Sequence, residues 1–349
     1  METTRFDARR HSHHQRHRLD WRYTNLILVI VLYVGSFYSV YHVFKYAVRL
    51  GHTMAFAVLL TFLSGFGVTA GAHRLWAHKS YKATLPFRIF LALCFSMSGQ
   101  NSLYQWVRDH RLHHKHSDTD ADPHNITRGF WYAHVGWLTM TRHPEVKKQG
   151  KLICLDDILA DPVVYYHTKL FWPLKILFAF VLPSALPVWL WHEDVWVAIL
   201  SQCFLRYCFV LNATWSVNSF AHLYGTKPYN DSIRPAQNRF VSVAALGEGW
   251  HNYHHTFPYD YRTNEFGSGY ATNLTALLID VAAALGMVRD RKFPSEDHVR
   301  CTIMKTGDAA LITQRPEETT TAQTSASCES SFDNDDTDTD DCDVGLETT

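Results

Sequence analysis

The chain of 349 residues contains no Cys-x-x-Cys pair. Its seven cysteines, at 94, 154, 203, 208, 301, 328 and 342, are scattered and odd in number, which argues against a zinc knuckle or a disulfide frame and predicts reduced thiols. A Rossmann glycine fingerprint, a flavin motif and an HPGG haem motif are missing as well, so any redox chemistry must draw electrons from a separate carrier. About twenty polar residues precede the first apolar run, which is not the layout of a secretory signal peptide. Net charge is also lacking, since 33 Lys and Arg balance 33 Asp and Glu. That balance hides a segregation. Eleven of the acids follow Arg315, where no Lys or Arg occurs, leaving 33 basic against 22 acidic residues elsewhere. The body is basic, yet its apolar character points away from nucleic acid as a partner.

Apolar residues and histidine are what the chain has in excess, at 47% hydrophobic, 14% aromatic and 22 histidines. Four runs are long enough to cross a bilayer, at about 24–46, 53–72, 171–191 and 195–217. A fifth, 87–98, is too short and fits an in-plane or buried helix. Pro173, Pro183 and Pro187 in the third run are tolerable in a membrane bundle. Arg206, inside the fourth, should face the bundle, because exposure to lipid is costly. Arg5, Arg9, Arg10, Arg16, Arg18 and Arg22 precede the first run, whereas the turn His192-Glu193-Asp194 carries no Lys or Arg. By the positive-inside rule both termini and the long segments 73–170 and 218–349 are expected in the cytosol. The expected organisation is a basic arm (1–23), a membrane domain (24–300) and a disordered acidic tail (301–349). The fold class is mainly α: an integral membrane protein with four transmembrane helices and a cytosolic helical cap.

Three histidine clusters carry the chemistry. His73 and His78 stand in HRLWAH, His110, His113 and His114 in HRLHH, and His251, His254 and His255 in HNYHH. The spacing i, i+3, i+4 of the last two puts three imidazoles on one helical face. The i, i+5 spacing of the first is 140° off on a regular α-helix, so it requires a bend or a helix end. One HxxHH arises by chance roughly once in ten such chains, but three boxes on one side of a membrane do not. Eight imidazoles exceed the needs of one tetrahedral zinc, so two metals are expected, and imidazole-bound iron suits oxygen activation. Asp118, Asp120 and Asp122 read as turn caps or as groups holding histidine rings, since the glycine and distal glutamate of a calcium loop are missing.

The boxes, with GVTAGAHRLWAHKSYKA, WVRDHRLHHKHSDTDADPHN, RGFWYAHVGWL, NATWSVNSFAHLYGTKPY and GEGWHNYHHTFPYDY around them, resemble the membrane-bound acyl-CoA desaturases of the Δ9 (stearoyl-CoA) type, with an insect or animal character. The resemblance covers roughly residues 20–295. It implies a di-iron site with nine histidine ligands: His73, His78, His110, His113, His114, His222, His251, His254 and His255, with Asn218 reaching one iron through water. His116, His124 and His134 stay outside that set. The implied reaction removes two hydrogens from adjacent methylenes of a saturated fatty acyl-CoA while O2 is reduced to water. Arg108 and Asp109 are the implied contacts to the CoA headgroup. Arg142 is a further candidate there, and Asn25 is carried over from a WRYTN that stands where the family has WRN. Asn101, Gln100, Trp106 and Trp215 are implied to line the acyl tunnel near its bend. Thr61 and Gly65 share one helix face about two turns before His73 and are expected at the tunnel end, although Gly65 could equally serve close helix packing. The implied electron donor is cytochrome b5 with its reductase, and the implied location is the endoplasmic reticulum membrane. A related membrane hydroxylase or a histidine-rich metal transporter are the alternative readings. A transporter would place its imidazoles in mid-membrane rather than at span ends.

Overall fold

The computed structural model of the protein describes residues 19–265, 267 and 273–308. The basic arm before residue 19 and the acidic tail after residue 308 lie outside the described residues. Four helices are long and apolar enough to cross a membrane: α1 (Tyr23–Tyr46) and α2 (Leu50–Ala77), then, after the shorter α3 (Leu85–Met97) and α4 (Leu103–Lys115), α5 (Phe171–Trp191) and α6 (Val195–Leu223). α2 and α6 run past the spans drawn at 53–72 and 195–217. Their C-terminal ends are too polar for a hydropathy window, yet they are buried by protein: all of Gly67–Ala77 is buried, and so are Ser219, Ala221 and His222.

α1 and α2 form one hairpin and α5 and α6 a second. α1 and α2 both pack on α6. Glu193, in the turn between α5 and α6, staples the two hairpins. Its carboxylate accepts the backbone N–H of Val48 at 2.7 Å and of Arg49 at 3.4 Å, and the Thr53 hydroxyl. Burial alone would raise this carboxyl, but the hydrogen bonds from Thr53 and the backbone hold it below its ordinary value.

α3 crosses close against α2. A Cβ at Gly67 would stand 2.0 Å from the backbone nitrogen of Phe95, so only glycine lets the two backbones approach this far. Together they centre the largest apolar core, with Val68, Leu75, Trp76, Phe87, Leu91 and Phe95. Beyond α6, the helices α7 (His251–Thr256) and α8 (Leu274–Ala284) complete the cap. An antiparallel ribbon pairs β1 (Lys82–Ala83) with β2 (Val288–Arg289), Lys82 opposite Arg289, and ties this C-terminal part to the segment after the first histidine box.

Two expectations change. The boundary drawn at 300 falls inside a helix, Glu296–Thr306, whose Val299 and Ile303 pack with Tyr229, Tyr253 and Phe257. Order therefore continues past 300, because these apolar residues join a core formed by distant segments. Cys94, Cys203 and Cys208 are free thiols as expected. Cys154 and Cys301 are instead each disulfide-bonded, which scattered spacing in sequence does not encode.

Candidate functional site

The C-terminal end of α2 supplies the first box. From Gly67 to Ala77 the helix is wound as a π-helix, and the N–H of His78 bonds the carbonyl of His73, i to i+5, at 3.0 Å. That winding, together with the helix end at His78, brings two rings five residues apart onto one side. α4 is capped at its start by Ser102, whose hydroxyl accepts the N–H of Gln105, and carries the second box. α7 carries the third.

The imidazoles form two groups. Ligand atoms of His73, His78, His110, His114 and His254 lie within 4.8 Å of one another, as do those of His113, His222, His251 and His255. Each HxxHH box is thus shared: His110 and His114 go to one group and His113 to the other, while His254 separates from His251 and His255. His222 on α6, indicated only by resemblance, has its Nε2 3.0 Å from that of His251.

Carboxylates orient the rings from behind. Glu248 accepts from His73 Nδ1 at 2.8 Å, Asp122 from His113 Nδ1 at 2.9 Å, and Asp118 from His222 Nδ1 at 3.1 Å. With Nδ1 carrying the proton, Nε2 offers a lone pair toward the centre of its group. Nε2 atoms then face each other at 2.9 Å (His73 and His254), 2.8 Å (His78 and His110) and 3.0 Å (His114 and His254). Burial and the neighbouring rings push His78, His110, His114, His251, His254 and His255 well below their ordinary pKa, so these rings are neutral. His113 Nε2 is buried and without a hydrogen-bond partner among the described residues. Convergent neutral nitrogens repel unless a cation lies among them, and two such sets fit two nitrogen-bound metals.

Glu248 was not singled out in the sequence. Its only local signal is an acid between Gly247 and Gly249, three residues before His251. Its other oxygen holds Arg74, which is fully buried, at 2.7 Å. Asp120 is not at the site and pairs with Arg128 at 2.7 Å. His124 packs against Trp137 beside the second box. His134 bonds Ser219 and Asn212, and His116 caps the end of α4.

A cavity of about 510 Å³ runs from His73, His110, His113 and His251 down between α2 and α6. Trp106, Asn218, Gly65 and Thr61 line it, and so do Val40, Phe44 and Met54 at a distance from the histidines. Gly65 faces the side chain of Leu246, whereas the close backbone approach of helices occurs at Gly67. Among the described residues lining this cavity, Gln100, Asn101 and Trp215 do not figure, contrary to expectation. Gln100 sits one layer behind, accepting from Trp106 Nε1 at 2.9 Å and donating to the Thr214 hydroxyl at 3.0 Å. Asn101 borders a separate small pocket with Phe95 and His167. Trp215 is buried with Leu32 and Leu211, against His134. Alternation around a helix turns it away from the wall that Thr214 and Asn218 form.

On α4, immediately before the second box, Asp109 is buried and binds two arginines. Arg108 donates to it at 2.9 Å and Arg142 at 2.7 Å, with a second, shorter contact from Arg142. Burial would raise the Asp109 carboxyl, but Arg142 and then Arg108 outweigh it and hold it below its ordinary value. Both guanidinium groups stay about a quarter exposed. Asn25 donates to the Leu138 carbonyl at 2.7 Å.

The fatty acid desaturase family model matches residues 50–266. The chain is 55% identical over 240 residues to the Delta(9)-fatty-acid desaturase fat-6 of Caenorhabditis elegans, covering 69% of this chain and 70% of that one. It is 46% identical over 293 residues to the stearoyl-CoA desaturase of Sus scrofa (84% and 80% covered), and 45% over 295 residues to the acyl-CoA Delta-9 desaturase of Acheta domesticus (84% and 81%). By both the model match and these relatives, this chain belongs to the fatty acid desaturase family.

Proposed function

We propose that this chain is an oxygen-dependent acyl-CoA desaturase that introduces a cis double bond at Δ9 of a saturated fatty acyl-CoA. The observation that carries the reading is an apolar cavity of about 510 Å³ with both histidine groups at one end. An acyl chain has no polar handle, so the position of attack must come from how far it enters a shaped cavity. The overall change converts two adjacent methylenes, O2, two electrons and two protons into a double bond and two waters. Two irons held by the nine histidines, with Asn218 beside the four-histidine group, would supply the oxidising power.

The protein's own residues do the rest. Glu248, Asp122 and Asp118 keep Nδ1 of three rings protonated and aim Nε2 inward. Trp106 stacks on His110 at 5.0 Å and forms the wall where the cavity meets the histidines. The exposed faces of Arg108 and Arg142, fixed by Asp109, suit the phosphates of CoA. The chain holds no electron-carrier motif, so cytochrome b5 and its reductase are the proposed donors, drawn to a basic body. The proposed setting is the endoplasmic reticulum, with both termini in the cytosol and the Glu193 turn in the lumen.

Expression in a desaturase-deficient yeast, followed by fatty-acid analysis, tests the reading. Restored growth with Δ9 monoenes is expected, and His113→Ala or His254→Ala should abolish it while the protein still inserts. Full activity of either variant, or a hydroxylated product, would overturn the assignment.

A further inference from the structure

At 13 residues α3 rises about 20 Å, short of the ~30 Å hydrocarbon core. Its last turn ends against the middle of α2 and α6, where its free carbonyls need partners from protein. Two consecutive residues of α6 meet it. Arg206, 2% exposed, donates through Nη1 to the carbonyl of Met97, the last residue of α3, at 3.1 Å and to the Ser64 hydroxyl of α2 at 3.3 Å. Its Nη2 donates to the Ala179 carbonyl of α5 at 2.6 Å. These partners are neutral oxygens of three different helices, so among the described residues the guanidinium works as a junction and not as half of an ion pair. A cation there also complements the negative end of α3.

Tyr207 donates its hydroxyl to the Gly99 carbonyl at 3.0 Å. Gly99 has φ +64°, and a Cβ there would lie 2.5 Å from the Tyr207 ring. The turn so held passes directly into Gln100, whose amide oxygen fixes Trp106, which in turn stacks on His110. Arg206 itself borders the cavity.

We propose that Arg206 and Tyr207 are positioning residues for desaturation. They seat the end of α3 and so set where the cavity wall at Trp106 stands relative to the histidine groups. The positioning role rests on the desaturase reading; the seat does not. Full-length Arg206→Met, Arg206→Lys and Tyr207→Phe are compared by product analysis and by hydrogen exchange of the 98–103 segment. Arg206→Met should lower kcat on the order of tenfold and lower the ratio of correctly placed to displaced double bonds by a similar factor. Tyr207→Phe should give a smaller change in the same sense, and Arg206→Lys should recover part of the loss. Exchange of 98–103 should accelerate at least tenfold in Arg206→Met, or in Tyr207→Phe where the methionine variant does not fold. Unchanged exchange in the folded variants overturns the seat, whatever the substrate. Faster exchange with unaltered double-bond position and kcat overturns the positioning role.

Discussion

Glu248→Gln is a change of one atom that should cost the enzyme one metal. Oε1 of Glu248 accepts from Arg74 Nη2 at 2.7 Å and Nε at 3.2 Å, while Oε2 accepts from His73 Nδ1 at 2.8 Å. A glutamine offers one oxygen and one N–H2 group. The buried charge of Arg74 claims the oxygen, which leaves the amide donor facing the Nδ1–H of His73. The ring escapes that clash by taking the other tautomer, and its Nε2, 2.9 Å from that of His254, then carries a proton instead of a lone pair. Loss of such an outer partner weakens metal binding roughly 10–100-fold, or about 1.4–2.8 kcal/mol. A competing effect is destabilisation. Removing the carboxylate from a buried arginine costs ~3–5 kcal/mol when nothing replaces it. Here the amide oxygen and the Tyr261 carbonyl, 2.7 Å from Nη1, still accept, so the loss should be smaller than for Glu248→Ala. The assay is chelator competition on purified protein with metal quantified per chain, beside a melting curve. One of the two metals should leave Glu248→Gln at a roughly 10–100-fold lower chelator concentration while the other resists as in wild type. Asp118→Asn, behind His222 in the other group, should weaken retention of the second metal instead, so the double variant loses both. A folded Glu248→Gln protein that holds both metals like wild type would refute the tautomer argument.

Arg142→Ala should raise the KM for acyl-CoA about tenfold with kcat little changed, the signature of lost ground-state binding, and an unchanged KM would remove the headgroup role. Thr61→Tyr or Gly65→Leu should shift preference toward shorter acyl chains by ~1–3 kcal/mol per excluded methylene. At Gly65 the new side chain must also displace Leu246, 2.5 Å from the added Cβ; identical chain-length profiles would place the tunnel end elsewhere. Because Glu193 is held below its ordinary pKa, its contribution is complete above the unfolded carboxyl value of about 4.3 and fades as pH falls through the lower folded value. The Tm gap between wild type and Glu193→Gln in detergent should therefore be present at neutral pH and close in acid, and a gap that widened in acid would contradict the sign.

The spans and the histidine boxes were legible because both are periodic: twenty apolar residues and an i, i+3, i+4 pattern signal themselves locally. The division of each box between two groups was not, since it depends on how α4 and α7 approach each other. Glu248 and the partners of Arg206 escaped for a different reason. The partners of Arg206 are backbone carbonyls of Met97 and Ala179, which every sequence contains and none advertises. Trp215 was placed at the tunnel wall, although it lies next to Thr214 and therefore points about 100° away on the same helix. His222 carried no spacing signal and came from resemblance alone.

The π-wound stretches have a meaning in terms of chain length. Gly67–Ala77 in α2, Ile176–Val181 in α5 and Leu200–Arg206 in α6 each hold more residues per turn than an α-helix of the same height. Such a stretch stores a surplus residue. Deleting Ala72 would let α2 relax to ordinary α-winding, a locally favourable change. The turns on either side would keep their register, but the i to i+5 bond between His73 and His78 would give way to α-spacing, which sets rings five residues apart about 140° from each other and breaks the first box. The number of residues in these stretches is then under tighter constraint than the identity of most of them. A variant one residue shorter could melt higher than the natural chain and still be inert.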